Sequence, residues 1–151
     1  MNLDQDLRIL ELINSKLDQL GQDKISHNNS TSSPDIQNTL PKNVHVGDID
    51  IAYKSFGQGS PILLISGSGN VMDVWPSSTL QELSSNHTII IFDNRGVGNT
   101  PLGTKPISVK QMANDTVGLL DALKIHKVGV LGFFIGSFVA EQLAITHPES
   151  Q

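Results

Sequence analysis

Cysteine is missing altogether from these 151 residues. Its absence excludes disulfide bonds, a thiolate nucleophile and any cysteine-based zinc site. An excess of positive charge is missing too. The formal net charge is −5, a mild acidity that argues against a nucleic-acid surface and favours solubility. No apolar run approaches the ~20 residues that cross a bilayer. The first residues lack a basic start followed by an apolar stretch, so they do not read as a secretory signal. The expectation is a cytoplasmic protein with no membrane and no nucleic-acid partner. In that setting the sequons Asn28-Asn29-Ser30 and Asn86-His87-Thr88 carry little weight. Aromatic residues are few, 5% of the chain, with Trp75 the single tryptophan.

What is present is a globular composition, 38% hydrophobic and 17% charged, in a chain with room for one domain and its own core. Residues 1–24 read as an amphipathic helix. Leu3, Leu10 and Leu17 fall seven apart, with Ile13 and Leu20 on the adjoining seam and polar residues on the other faces. Such a helix either pairs with another or packs on its own domain. Residues 25–43 are polar, punctuated by proline and without period, as a flexible linker is.

The third segment, residues 44–151, has a different texture. "VHVGDIDIAYKSFG" holds two alternating runs around Gly47-Asp48, a hairpin signal. "SPILLISGSGN" and "HTIIIFDNRGVGNT" are continuous apolar runs that end in small residues, as strands buried on both faces do. Residues 73–83 suit a helix. A stronger one begins at Ser108 as N-cap and points Met112, Val117, Leu120 and Leu123 to one face. A further strand over 127–132 and a helix from about Gly136 to Thr146, stopped before Pro148, complete the pattern. Strands alternating with helices predict βαβ units and a mainly parallel sheet.

The passage "KVGVLGFFIGSFVAEQLA" carries the chemistry question. Strand, tight turn and helix follow one another, with Gly132 and Gly136 on either side of Phe134. A serine nucleophile on such a turn needs small flanking residues, because the central position is strained and close to its neighbours. Three blocks in order resemble the amino-terminal half of an α/β-hydrolase of the esterase, lipase and haloperoxidase-like group. "PILLISGSGNVMDVW" is similar to the third strand and oxyanion loop. "IIIFDNRGVGNT" is similar to the fourth strand and its Asp-x-Arg-Gly-x-Gly turn, here Asp93, Arg95, Gly96 and Gly98. "DALKIHKVGVLGFFIGSFVAEQLAITHPE" is similar to the fifth strand, nucleophile elbow and flanking helices. The resemblance implies an α/β fold: a partial hydrolase sheet in which a β-hairpin precedes parallel βαβ units, preceded by the N-terminal helix. It also implies an oxyanion hole built from the backbone N–H groups of Ser68 (or Gly67) and Ile135, a structural role for the Asp93–Gly98 turn, and no cofactor.

Three departures from the family pattern change the functional expectation. Phe134 occupies the nucleophile's position, and a benzyl group neither attacks a carbonyl nor gives up a proton. Ser66 stands where the family often has histidine, a tolerable change because the hole uses backbone donors. The family's order is nucleophile, then acid, then histidine, and only 17 residues follow Phe134. Ser137 is a poor substitute. It reads as a packing residue facing the sheet, and His147 lies ten residues beyond it, about 15 Å along a helix at ~1.5 Å per residue. Glu141 is one turn away with no histidine between. The remaining histidines, His27, His45, His87 and His126, show no metal-ligand spacing. The expectation is a non-catalytic or truncated hydrolase homologue with no catalytic residue at position 134. Its strand 127–132 becomes an exposed edge that invites a second copy or a complementing chain.

A dinucleotide-binding Rossmann-like module is the alternative. Gly67-x-Gly69 follows a strand, and Asp93 ends the next one, where a ribose-binding acid would stand. The third glycine of that fingerprint is replaced by Met72.

Overall fold

The computed structural model describes Ile36 and residues 38–150. The helix expected over 1–24 and most of the linker expected over 25–43 lie outside the described residues. Ordered packing nonetheless reaches into the linker's end. Ile36 is buried, and the first strand opens at Lys42.

Five strands form one sheet: β1 (Lys42–Val46), β2 (Ile49–Phe56), β3 (Ser60–Ile65), β4 (His87–Phe92) and β5 (Gly129–Gly132). Their spatial order is β1-β2-β4-β3-β5. β1 and β2 form the expected hairpin around Gly47-Asp48, and β2 pairs antiparallel with β4. β3 pairs parallel with β4 on one side and with β5 on the other. Parallel pairing is therefore confined to the last three strands, and the hairpin contributes the antiparallel half.

Side-chain alternation divides the core in two. Leu63 and Ile65 of β3, Ile90 and Phe92 of β4, and Ile49 and Ile51 of β2 face one way. They pack against α2 (Val109–Ala122) and α3 (Ile135–Thr146) through Met112, Leu119, Leu120, Val139 and Leu143. Ile62, Leu64, Ile89, Ile91, Ala52 and Phe56 face the other way, onto Met72 and onto Leu80 and Leu83 of α1 (Ser77–Ser84). β3 and β4 are apolar without interruption because helices cover both of their faces. α2 starts at its expected cap, where the Ser108 side chain accepts a hydrogen bond from the Gln111 N–H. The helix expected over 73–83 divides at Pro76 into a 3₁₀ turn, Met72–Val74, and α1. A proline tolerates the start of a helix but not its interior.

β5 is the edge strand of the described sheet. Gly129 is exposed and Val130, Leu131 and Gly132 are half-buried, whereas the last four residues of each inner strand, Ile62–Ile65 of β3 and Ile89–Phe92 of β4, are buried.

Candidate functional site

β3 is the strand at which the chain changes direction across the sheet. It passes to β4 on one side, and β5 later returns to the other side. Ligand sites of open α/β sheets form outside the carboxyl ends of the strands at such switch points. The loop after β3 and the turn after β5 meet there.

The turn after β5 converts strand to helix across two residues, Phe133 and Phe134. The Phe133 N–H donates to the Ile65 carbonyl at 2.9 Å, that of Gly136 to Phe133 at 3.0 Å and that of Ser137 to Phe134 at 2.9 Å. Phe134 has φ 52° and ψ −121°, a conformation that a residue with a Cβ adopts only under constraint. The constraint is visible in the flanking glycines. A Cβ on Gly132 would overlap the Gly136 carbonyl, and one on Gly136 would overlap the Ile65 carbonyl. The turn thus has the tight backbone shape that an elbow between strand and helix requires. It lifts the residue at its apex away from the sheet, and the Phe134 side chain is 72% exposed.

Opposite the elbow, Gly67 is buried and Ser68 exposed. A Cβ built on Gly67 would come 3.2 Å from Phe134 Cβ, so the two loops are in contact. The Ser66 hydroxyl donates to the Asn70 carbonyl, and Asn94 Nδ2 donates to the Ser66 carbonyl. Among the described residues, no backbone hydrogen bond of the loops and turns takes up the N–H of Gly67, Ser68 or Ile135. Trp75 packs edge-on to Phe133 with ring centroids 6.2 Å apart, and Phe133 edge-on to Phe134 at 4.5 Å. The buried Trp75 Nε1 has no hydrogen-bond partner among the described residues.

Among the described residues, Ser137, His147, His45 and His87 each have contacts of their own away from the apex. Ser137 does not face the sheet as its spacing suggested. It is exposed and donates to the Gly132 carbonyl at 3.1 Å, because α3 buries Gly136, Val139 and Leu143 instead. His147 is the C-cap of α3, its Nδ1 2.8 Å from Thr146 Oγ1. His45 contacts Asp50 across the hairpin and His87 contacts the Ser60 carbonyl. Among the described residues, no group of three or more His, Asp or Glu could hold a metal ion. A cleft of about 260 Å³ opens near the start of β5, between Val117, Leu120, Val128 and Leu143, and no elbow residue lines it.

In the Asp93–Gly98 turn, Asp93 and Arg95 bond not to each other but to separate partners, loop backbone among them. Asp93 is buried and accepts the Met72 N–H at 2.7 Å and the Asn99 N–H at 2.9 Å. Gly96 and Gly98 both have positive φ, and a Cβ on Gly98 would overlap the Asp93 carboxylate. Arg95 turns the other way. Nε and Nη2 donate to Asp115, Nη1 and Nη2 to Asp48, and Nη1 also to the Leu102 carbonyl. All five donors of the guanidinium are used. Hydrogen bonds to Asp115 and then Asp48 push the Arg95 pKa up. The guanidinium, followed by the Thr104 N–H, holds the Asp48 carboxyl well below the usual carboxylate range. Asp115 was legible as a polar residue on the buried face of α2, between Met112 and Leu119. Asp48, in a hairpin turn, gave no signal beyond the turn itself.

The same contacts remove the dinucleotide reading. Both Asp93 oxygens are committed to backbone N–H groups, and the chain after Gly69 forms a 3₁₀ turn rather than a helix aimed at a pyrophosphate.

Comparisons with known proteins agree with this geometry. A family model described as alpha/beta hydrolase fold matches residues 60–150. A protein of Azorhizobium caulinodans, named provisionally as the carbamate hydrolase RutD, is 34% identical over 105 residues, 70% of this chain and 39% of its own length. The pimeloyl-[acyl-carrier protein] methyl ester esterase of Aeromonas hydrophila is 31% identical over 102 residues, 67% of this chain and 38% of its own. An alpha/beta hydrolase fold protein from Chitinophaga pinensis superposes with a TM-score of 0.67 at 33% identity, covering 75% of this chain and 42% of that one. The chain spans about two-fifths of the length of the curated relatives it matches. No helix among the described residues is long and apolar enough to cross a membrane.

Proposed function

The chain belongs to the alpha/beta hydrolase fold family, and from that premise we propose that it is an ester or acyl hydrolase-like homologue without hydrolytic chemistry of its own. One observation carries the reading. The elbow has its full backbone geometry, yet its apex holds Phe134, whose side chain has no nucleophilic atom. In a serine hydrolase, loss of the serine alone costs on the order of 10⁶ in kcat. In this reading the N–H groups of Ile135 and of Gly67 or Ser68 remain as donors for a carbonyl or carboxylate oxygen, while Asp93, Arg95, Gly96 and Gly98 serve the fold.

Purified protein is expected not to turn over p-nitrophenyl acetate or butyrate above a denatured control, and not to react with a fluorophosphonate probe. Phe134→Ser is expected to gain less than about 100-fold, because an unassisted hydroxyl is a weak nucleophile. Stoichiometric labelling at Ser137, or a larger gain at position 134, would refute the reading by exposing a base that the geometry does not provide.

The proposal extends to association. The open edge of β5 and the outward face of α3, with Phe138 62% and Ile145 71% exposed, suit a second copy or a complementing chain. Sedimentation at micromolar concentration is expected to show species larger than the monomer. A single compact monomer with a cooperative melt would remove this part of the proposal.

A further inference from the structure

Lys54 interrupts an apolar face. β2 alternates, and Ala52, Lys54 and Phe56 all point toward the side of the sheet covered by α1, where Ala52 and Phe56 join the core. The Lys54 side chain is only 7% exposed, and its Nζ donates to Asp73 Oδ1 at 2.7 Å. Stability alone does not account for a lysine there. Taking an ammonium out of water costs several kcal/mol, and its partner Asp73 is 62% exposed, where solvent screens the attraction. A methionine would fill the same space.

What the ammonium does specify is a place for Asp73. Asp73 sits in the 3₁₀ turn of the β3–α1 loop, and the residue before it, Met72, has its N–H held by Asp93 from the end of β4. Two consecutive loop residues are therefore anchored by charged side chains from two neighbouring strands, which pair at Tyr53–Phe92. From these anchors the loop runs two residues onward to Trp75, which meets Phe133, and a few residues back to Gly67, which meets Phe134. Whatever holds Asp73 therefore bears on the loop that brings Trp75 and Gly67 against the elbow.

We propose that Lys54 is a positioning residue: through Asp73 it sets where the β3–α1 loop stands against the elbow, and so sets what a ligand at the elbow's apex would meet. The apex as a ligand site rests on the function proposed above, whereas the clamp does not.

The single tryptophan makes the test direct, in the full chain. Lys54→Met should melt at or above the wild-type temperature, since it removes a buried charge and keeps the volume. In the same variant, acrylamide quenching of Trp75 should rise at least about twofold and amide exchange at Met72, Asp73 and Val74 about tenfold, with β3 and β4 unchanged, as for a local opening. Asp73→Asn should loosen the same three amides. Unchanged quenching and exchange in both variants would make Lys54 a mere filler and overturn the proposal. A uniform rise in exchange across the sheet would overturn it too, by showing a general stabilising role. Esterase turnover or fluorophosphonate labelling would count against the proposed function and leave these readouts standing.

Discussion

Arg95→Ala is expected to destabilise the fold by about 3–5 kcal/mol, because it leaves a buried carboxylate without its partner. That is a large share of the 5–15 kcal/mol typical of a whole domain, so much of the variant should be unfolded at 37 °C. The size follows from the geometry. The guanidinium is fully buried, Asp115 is 6% exposed, and the two share a bidentate contact with both bonds at 2.8 Å. Asp115 keeps a single further donor, Gln111 Nε2. Arg95 also ties three parts of the chain together: the β1–β2 turn through Asp48, the glycine-rich loop through the Leu102 carbonyl, and α2 through Asp115. Urea unfolding at pH 7 measures the loss, and a change below about 1 kcal/mol would show the network to be dispensable.

Acid supplies a second reading of the same network. The folded Asp48 carboxyl titrates below its unfolded value, so its contribution is complete above the unfolded pKa of about 4 and is lost as pH falls toward the folded one. Without Arg95 the main cause that holds the Asp48 carboxyl in its charged form is gone. The gap in stability between wild type and Arg95→Ala should therefore narrow as pH falls below about 4.

Gly136→Ala comes next in size, with an expected loss of about 1–3 kcal/mol or more from overpacking. Its added methyl group would overlap the Ile65 carbonyl, with the Ser66 carbonyl oxygen also at 3.0 Å. These are backbone atoms of the interior strand β3 and its exit, and neither can swing aside as a flexible side chain would. α3 must move away from β3, which also breaks the seating of Val139 and Leu143 in the core. Gly129→Ala is the control, since its methyl group would meet Ile62 Cγ1 at an ordinary 3.6 Å. Thermal melts of the two variants should differ by several degrees, and equal melting temperatures would mean that the elbow yields more easily than its packing implies.

The elements legible in the sequence were those that periodicity or local turn chemistry dictates. The run "ILLI" in β3, the Ser108 cap and the Gly132 and Gly136 spacing each follow from short-range rules, and each stands where those rules put it. The elbow was legible as a backbone shape with phenylalanine at its apex, because glycine is required there by close approach. Long-range partners were not legible. Arg95 and Asp48 are 47 positions apart, and Lys54 and Asp73 are 19 apart. Nothing local distinguishes a carboxylate destined for a buried guanidinium from one in solvent. Ser137 was misplaced for a related reason. α3 is apolar on more than one side, so spacing alone could not say which side meets the sheet.

The elbow also makes position 134 a pedestal. Its height and tilt are set by backbone contacts at Gly132 and Gly136, none of which involves the phenyl ring, and the ring itself is mostly in solvent. Substituents of very different bulk can therefore be mounted there on the same rigid support. A thiol introduced at this one position of a cysteine-free chain would be a unique handle, facing outward from the sheet in a known orientation, for a dye, a spin label or a metal chelate.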